Sequence, residues 1–274
     1  MSTLFRTSKR HGAGNDFLVQ LVENSNDGVL ATEAKLLCDR HFGVGADGFI
    51  VGEVGEQPTD QVKMTLFNSD GSRAEMSGNG IRTLAHAVFD HFIAAHQLNR
   101  SVLNSRFEID TDAGIKVVEV VPTLDPLEVQ ATVGMGSGRV LAELGPGIQV
   151  DMGNPHLVVV LPDGSQLPGP GEVLNAGEEF QKLRLGGINV EWIVRSQVDP
   201  TEFDLVVFER GVGPTLACGT GSVASFLVAR SMGMVGDTAL FRNPGGVLKV
   251  SCSGDLLSLS GPSRFICFVD LGNQ

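Results

Sequence analysis

Two segments of this 274-residue chain place a small nucleophilic side chain directly before Gly-polar-Gly. Ser77 precedes Gly78-Asn79-Gly80, and Cys218 precedes Gly219-Thr220-Gly221. They lie 141 positions apart (218 minus 77), about half the chain length, and a helix-like run follows each. The first N–H groups of a helix lack internal partners and sit at the positive end of its dipole. Gly at those positions lets a ligand come close. A thiol placed there is expected to give up its proton more readily. One such segment alone reads as an ordinary N-cap for Ser77, or as a small buried residue for Cys218. The repetition with the same Gly spacing argues for a functional pair. Two such residues, from halves that face each other, could stand on opposite sides of one substrate carbon and move a proton across it.

The elements that must hold these residues can be read from periodicity. In the first half, Phe17 to Val22, Phe49 to Val54 and Val62 to Phe67 read as strands. A helix is expected from Thr32 to Arg40, with Thr32 or a neighbour as its cap. After the turn Asn68-Ser69-Asp70-Gly71 comes the Ser77 segment. Ile81 to Ala95 then carries Ile81, Leu84, Ala85, Val88, Phe89 and Phe92 as an apolar helical stripe. Strands are expected at Phe107 to Thr111 and Ile115 to Val121, and Pro122 to Pro126 reads as a linker. The second half repeats the plan, with strands at Gln149 to Met152, Leu157 to Leu161, Val190 to Val194 and Leu205 to Glu209. The Cys218 segment and a helix from Ser222 to about Met232 follow. Strands Val247 to Cys252 and Leu256 to Ser260 close that half, and Phe265 to Leu271 is expected to return to the first. Many strands around one helix per half predict two similar α+β domains, 1–121 with 264–274, and 122–263.

Composition narrows the function classes. The formal net charge of −12 argues against nucleic acid and against an anionic membrane surface. The longest apolar run, Leu157 to Leu161, is far too short to span a bilayer. No apolar signal core stands at the N-terminus. Cys38, Cys218, Cys252 and Cys267 show no Cys-x-x-Cys spacing, so reduced thiols in a cytoplasmic protein are expected.

The ordered blocks of this sequence resemble those of the diaminopimelate epimerases, a family of cofactor-independent amino-acid racemases. The blocks are His11-Gly12-Ala13-Gly14-Asn15-Asp16-Phe17, Asn68-Ser69-Asp70-Gly71-Ser72, Met76-Ser77-Gly78-Asn79-Gly80-Ile81-Arg82, Met152-Gly153-Asn154-Pro155-His156, Gly187-Ile188-Asn189-Val190, and Glu209-Arg210-Gly211-Val212-Gly213 running into Ala217-Cys218-Gly219-Thr220-Gly221. The resemblance implies two pseudo-symmetric domains, each a barrel-like sheet wrapped around a central helix, with the active site in the cleft between them. It implies a homodimer, no cofactor and no metal. The reaction it implies is epimerisation of LL-diaminopimelate to the meso form, which feeds lysine and cell-wall synthesis. Cys218 matches one of the family's two proton-transferring cysteines, and Ser77 stands where the other is expected. A hydroxyl is a far weaker acid than a thiol, so two-base turnover is expected to be slow.

The resemblance also assigns the substrate's surroundings. Asn15, Asn68, Asn154 and Asn189 would bind the distal amino-acid head. Arg210 would grip the distal carboxylate, and Glu209 would meet an ammonium. Gly78, Asn79, Gly219 and Thr220 would offer N–H groups to the α-carboxylate as charge spreads onto it. His156 would tune Cys218. Without the resemblance these residues have plainer readings: turn chemistry for the Asn residues, an exposed pair for Glu209-Arg210, a structural histidine for His156. Gly48 stands where many relatives carry a polar residue, and Pro214 where they carry Glu. A one-cysteine lyase or dehydratase, a racemase of another amino acid, and a non-catalytic amino-acid binding protein are the alternatives.

Three further patterns are set aside. Gly43-Val44-Gly45-Ala46-Asp47-Gly48 fits G-x-G-x-x-G, but a helix-like stretch precedes it and a strand follows, the reverse of a dinucleotide fingerprint. His86, His91 and His96 recur every five residues, which spreads them around a helix surface and disfavours a shared metal. His11 and His41 have no carboxylate or cysteine at a ligand spacing.

Overall fold

The computed structural model describes residues 7–23, 30–57, 61–100 and 105–270. The chain forms two compact units, Met1–Val133 with Gly261–Gln274, and Gly134–Ser260. Along the first run β1 (Thr7–Gly12), β2 (Asn15–Val22), α1 (Ala31–Cys38), β3 (Gly48–Glu53), β4 (Val62–Asn68), β5 (Arg73–Ala74), α2 (Gly78–His96), β6 (Ser105–Thr111), β7 (Gly114–Pro122) and β8 (Glu128–Gly136). Then come β9 (Arg139–Leu144), β10 (Gly147–Asp151), β11 (Pro155–Val160), α3 (Pro170–Phe180), β12 (Asn189–Arg195), β13 (Glu202–Glu209), β14 (Gly213–Thr215), α4 (Gly219–Ser231), β15 (Thr238–Asn243), β16 (Gly246–Ser253) and β17 (Leu256–Val269). The class is α+β.

Pairing in the two units follows one plan. In the first, β1 and β2 are antiparallel, β2 and β3 parallel, β3 and β4 antiparallel, β4 and β6 parallel, and β6 and β7 antiparallel. In the second, β10 and β11 are antiparallel, β11 and β12 parallel, β12 and β13 antiparallel, β13 and β15 parallel, and β15 and β16 antiparallel. The first unit closes because the C-terminal part of β17 lies antiparallel to β1, while the Phe265 N–H donates to the Leu127 carbonyl beside β8. A continuous ring of strands leaves no bare edge.

A helix fills the interior of each unit. Residues 78–89 of α2 are all buried, and α2 packs on β1, β2, β3, β4, β6 and β7. In the second unit α4 packs on β9, β10, β11, β12, β15 and β16. Along α4 the small Ser222, Ala224, Ser225 and Ala229 are buried, and their size lets the strands approach.

Several expectations need correction. The second unit has a helix that the sequence does not predict, α3, whereas α1 lies where a first-half helix is expected, at Ala31–Cys38. The cap of α1 is Leu30, whose N–H donates to Glu33 Oε2 at 2.8 Å, and Thr32 and Arg40 are not its ends. The stretch from Pro122 to Pro126 is not a linker: Pro122 ends β7, and residues 123–127 form the turn of the antiparallel β7–β8 hairpin. The units divide at Val133/Gly134 and Ser260/Gly261, where the chain continues unbroken through β8 and β17. The two strands expected at Leu256 to Ser260 and Phe265 to Leu271 are one strand, β17, and Leu271 lies outside the described residues. His86 is fully buried rather than on the surface of its helix, and bonds the Ser263 hydroxyl at 3.1 Å.

Candidate active site

Ser77 and Cys218 are N-caps of the two central helices, with nearly the same backbone. Ser77 has φ −131° and ψ 125°, and Cys218 has φ −119° and ψ 119°. Both are extended, so each side chain folds back over the first turn. Ser77 Oγ accepts the Gly80 N–H at 3.0 Å, and Cys218 Sγ accepts the Gly221 N–H at 3.4 Å. The next bonds match too: Ile81 N to Ser77 O at 2.9 Å, and Ser222 N to Cys218 O at 3.0 Å.

Around Ser77 the polar groups form a chain within the first unit. Arg82 donates to the Gly78 carbonyl at 2.8 Å and to Asn79 Oδ1 at 2.7 Å. Asn79 Nδ2 donates to Asn15 Oδ1 at 3.4 Å, and Asn15 Nδ2 donates to Asp47 Oδ2 at 2.8 Å. Asp47 is itself held by the Asp16 N–H and by Arg40. Arg82 is fully buried, and burial lowers its pKa to about 10. Asn15, Gly78 and Asn79 are thus brought together with Ser77. Asn68 instead directs its amide to the Ser72 hydroxyl at 3.0 Å and is exposed. Gly48 pairs with both Phe17 and Asn68, and a Cβ there would lie 2.7 Å from the Phe67 carbonyl. Packing therefore forbids a side chain at this place.

Around Cys218 the surroundings are anionic. Glu209 ends β13, accepts a hydrogen bond from the Thr215 hydroxyl, and lies close enough to the Cys218 thiol for its charge to act on it. Burial raises the Glu209 pKa, with Glu191 adding to that effect. His156 and Glu191 are both fully buried, with His156 Nδ1 2.7 Å from Glu191 Oε1 and Nε2 3.0 Å from Asn154 Oδ1. Both ring nitrogens thus meet an oxygen within hydrogen-bond distance, which fixes the ring in place. Gly221 makes room for this carboxylate: a Cβ there would lie 2.5 Å from Glu191 Oε1.

The thiol therefore does not behave as the helix start alone predicts. Burial, then Glu209, then Glu191 push the Cys218 pKa well up, against the Thr220 hydroxyl and the Gly221 N–H, which favour the thiolate. In the free protein Cys218 carries its proton. Burial and two nearby carboxylates outweigh one helix dipole, whose effect is worth about 0.3–1 kcal/mol at ordinary sites.

The remaining residues of the second unit serve the corner that holds Glu209. Asn189 Nδ2 donates to the Pro155 carbonyl at 3.0 Å, and its Oδ1 accepts the Arg210 N–H at 2.9 Å. Asn189 thus ties the β11 start to the β13 end. The Arg210 side chain is exposed and reaches the Gly186 carbonyl at 3.4 Å. Pro214 lies in β14 opposite Phe208. Among the described residues no cluster of three or more His, Cys, Asp or Glu could hold a metal ion, and no helix is long and apolar enough to cross a membrane.

The diaminopimelate epimerase family model matches residues 7–140 and 148–266. A diaminopimelate epimerase of Prochlorococcus marinus is 34% identical over 292 residues, covering 96% of this chain and 91% of the relative. One of Synechococcus elongatus is 35% identical over 272 residues, covering 93% and 94%. This chain belongs to the diaminopimelate epimerase family. The fold agrees with solved structures: a "Predicted Epimerase" of Pseudomonas aeruginosa superposes with a TM-score of 0.69 at 14% identity, over 98% of this chain and 100% of the other. A probable proline racemase of Agrobacterium radiobacter gives 0.65 at 12% identity, over 98% and 93%. The family's members and these neighbours are isomerases by name, and this chain is an enzyme of that class.

Three residues of the diaminopimelate epimerase scaffold escaped the sequence reading. Glu191 had a signal, a lone carboxylate in the otherwise apolar Val190 to Val194 run. Arg82 had a similar one, a cation beside the Ile81 and Leu84 stripe. Asp47 had none that separates it from a turn residue.

Proposed function

We propose that this protein interconverts LL- and meso-diaminopimelate by moving the α-proton without a cofactor, with Cys218 as the principal acid–base group. The observation that carries this is a buried thiol at a helix start, beside the elevated carboxyl of Glu209, in a member of this family. The free thiol is protonated because burial, and then Glu209 and Glu191, oppose its ionisation. A substrate ammonium arriving beside Glu209 and Glu191 offsets their field, and Glu209 then takes the thiol proton. The thiolate removes the α-proton, and the charge left on carbon spreads onto the α-carboxylate, where helix N–H groups receive it. Reprotonation from the opposite face falls to Ser77. Its hydroxyl holds a proton but releases it poorly, so this step limits turnover. His156 and Asn154 act with Glu191 as one hydrogen-bonded set, and Asn15, Asn68, Asn79, Asn189, Arg210, Gly219 and Thr220 complete substrate binding.

In this reading the protein serves lysine and cell-wall precursor synthesis in the cytoplasm as a homodimer. Exposed Ile266 and Phe268 on β17 offer apolar surface for the pairing, and light scattering should give about twice 29.0 kDa. The catalytic test compares this chain with Ser77→Cys on LL- and meso-diaminopimelate. Slow interconversion that rises with Ser77→Cys supports the reading, and no reaction by either form on either isomer refutes the substrate. A second reading is favoured by Ser77 itself. With one effective acid–base group, α-proton removal could accompany loss of a β-hydroxyl, giving a dehydratase. Release of an α-keto product from a β-hydroxy amino acid would support it.

A further inference from the structure

Arg82 has no ion-pair partner among the described residues, and its Nε meets no hydrogen-bond partner there. Its other nitrogens point to the first turn of α2, at Gly78 O and Asn79 Oδ1. Other arginines of this unit meet carboxylates: Arg10 and Arg100 meet Asp90, Arg40 meets Asp16 and Asp47, and Arg73 meets Asp112. A buried cation behind the positive end of a helix is repelled by that dipole, and its two hydrogen bonds go to neutral oxygens, so its charge meets no counterion among the described residues. It becomes favourable when an anion sits at the helix start. The same place in the second unit, 141 residues on, is the buried apolar Val223.

We propose that Arg82 is a positioning residue that supplies the positive charge for a carboxylate bound at the start of α2, and that holds the Asn79 and Asn15 amides in their working orientation. The chain of donors runs one way, Arg82 to Asn79 to Asn15 to Asp47. It fixes which end of each amide faces the ligand. This rests on the reading above only for the identity of the carboxylate's owner.

The test is a titration followed by NMR of the Gly78, Asn79 and Gly80 amides, using acetate with acetamide as the uncharged control. The wild-type amides should shift with acetate and not with acetamide. In Arg82→Met, acetate affinity should fall by about 10- to 100-fold, the range for a hydrogen bond to a charged group. Absence of an acetate-specific shift in the wild type, or equal affinity in Arg82→Met, overturns the proposal. If Arg82→Met does not fold, Arg82→Lys carries the test. It keeps the charge and loses the fork, so acetate affinity should stay within about five-fold while the Asn79 side-chain amide signals move. Loss of acetate binding in a folded Arg82→Lys overturns it. A parallel titration with LL-diaminopimelate separates the two claims: acetate binding that depends on Arg82, without diaminopimelate binding, leaves this site standing and removes the proposed substrate.

Discussion

The starts of α2 and α4 share a backbone and differ in charge. Gly80 and Gly221 occupy the same turn, each bonded to its cap. Behind Gly80 the nearest side chain on the third strand is apolar Ile50, and behind Gly221 it is Glu191. Ile50 pairs with Val19, and Glu191 pairs with Val158, at matching steps of parallel ladders. The helix residue beneath inverts in turn, Arg82 in α2 and Val223 in α4. Duplication preserved the mainchain that presents a cap residue and N–H groups, while interior side chains made one start cationic and the other anionic. The cationic start suits a fixed anion. At the anionic start both the Cys218 thiol and the Glu209 carboxyl are pushed up, by burial first and then by neighbouring charge. Each buried charge costs several kcal/mol after relaxation, too much to keep in both halves without use.

Breaking this comparison at its most functional point gives the largest effect. Cys218→Ala should lower α-proton exchange by about 10³-fold, the size of a general acid–base contribution. Thermal melting should stay close to wild type, because a small buried residue is replaced by another. Ser77→Cys works in the other direction and should raise interconversion by about 10²-fold in a coupled assay.

The glycines sharpen the same contrast through stability. Gly221→Ala drives a methyl to within 2.5 Å of Glu191 Oε1, whereas Gly80→Ala meets its nearest atom, Ser77 Cβ, at 3.1 Å. Urea denaturation should show a loss of about 1–3 kcal/mol for Gly221→Ala. Gly80→Ala should be near neutral, because the helix preference for Ala, about 1 kcal/mol, offsets mild crowding. Equal losses would mean that Glu191 is not packed against α4.

The smallest expected effect concerns ionisation. The Glu209 charge holds the Cys218 pKa up, so replacing it with a neutral amide lets that pKa fall. At a fixed pH below the pKa the thiolate fraction then rises. Iodoacetamide should label Cys218 about ten-fold faster in Glu209→Gln than in the wild type, and the wild-type rate should climb only at pH above the ordinary thiol range. Turnover should move the opposite way, because the variant loses the acceptor of the thiol proton. Both rates falling together would mean that Glu209 acts on geometry and not on charge.

Much of this architecture was visible in the residues. The Gly spacing after Ser77 and Cys218 marks both helix starts, and the stripe from Ile81 to Phe92 marks the first central helix. What escaped had physical reasons. Helix α3 begins at Pro170 and contains Gly171 and Gly177, breakers that hide it, although Pro suits a first helical turn. It buries only Val173 and Gly177, too narrow a face to stand out. Strand β8 alternates Val129, Ala131, Val133 and Met135 inward, a two-residue period masked by small side chains. At the site, the sequence located the thiol but misjudged its ionisation, because the Glu191 and Glu209 carboxylates reach it through the fold and not along the chain. The donor chain from Arg82 to Asp47 was likewise invisible, since 35 positions separate its ends (82 minus 47).

The central claim is that Cys218 moves a proton at a substrate α-carbon. Incubating the wild type and Ser77→Cys with LL-diaminopimelate in deuterated water, and following the α-position by NMR and mass spectrometry, tests it most directly. The account predicts meso product carrying one deuterium at the inverted carbon, slowly in the wild type, faster in Ser77→Cys, and absent in Cys218→Ala. No deuterium at the α-carbon in either active form, or undiminished exchange in Cys218→Ala, would contradict it.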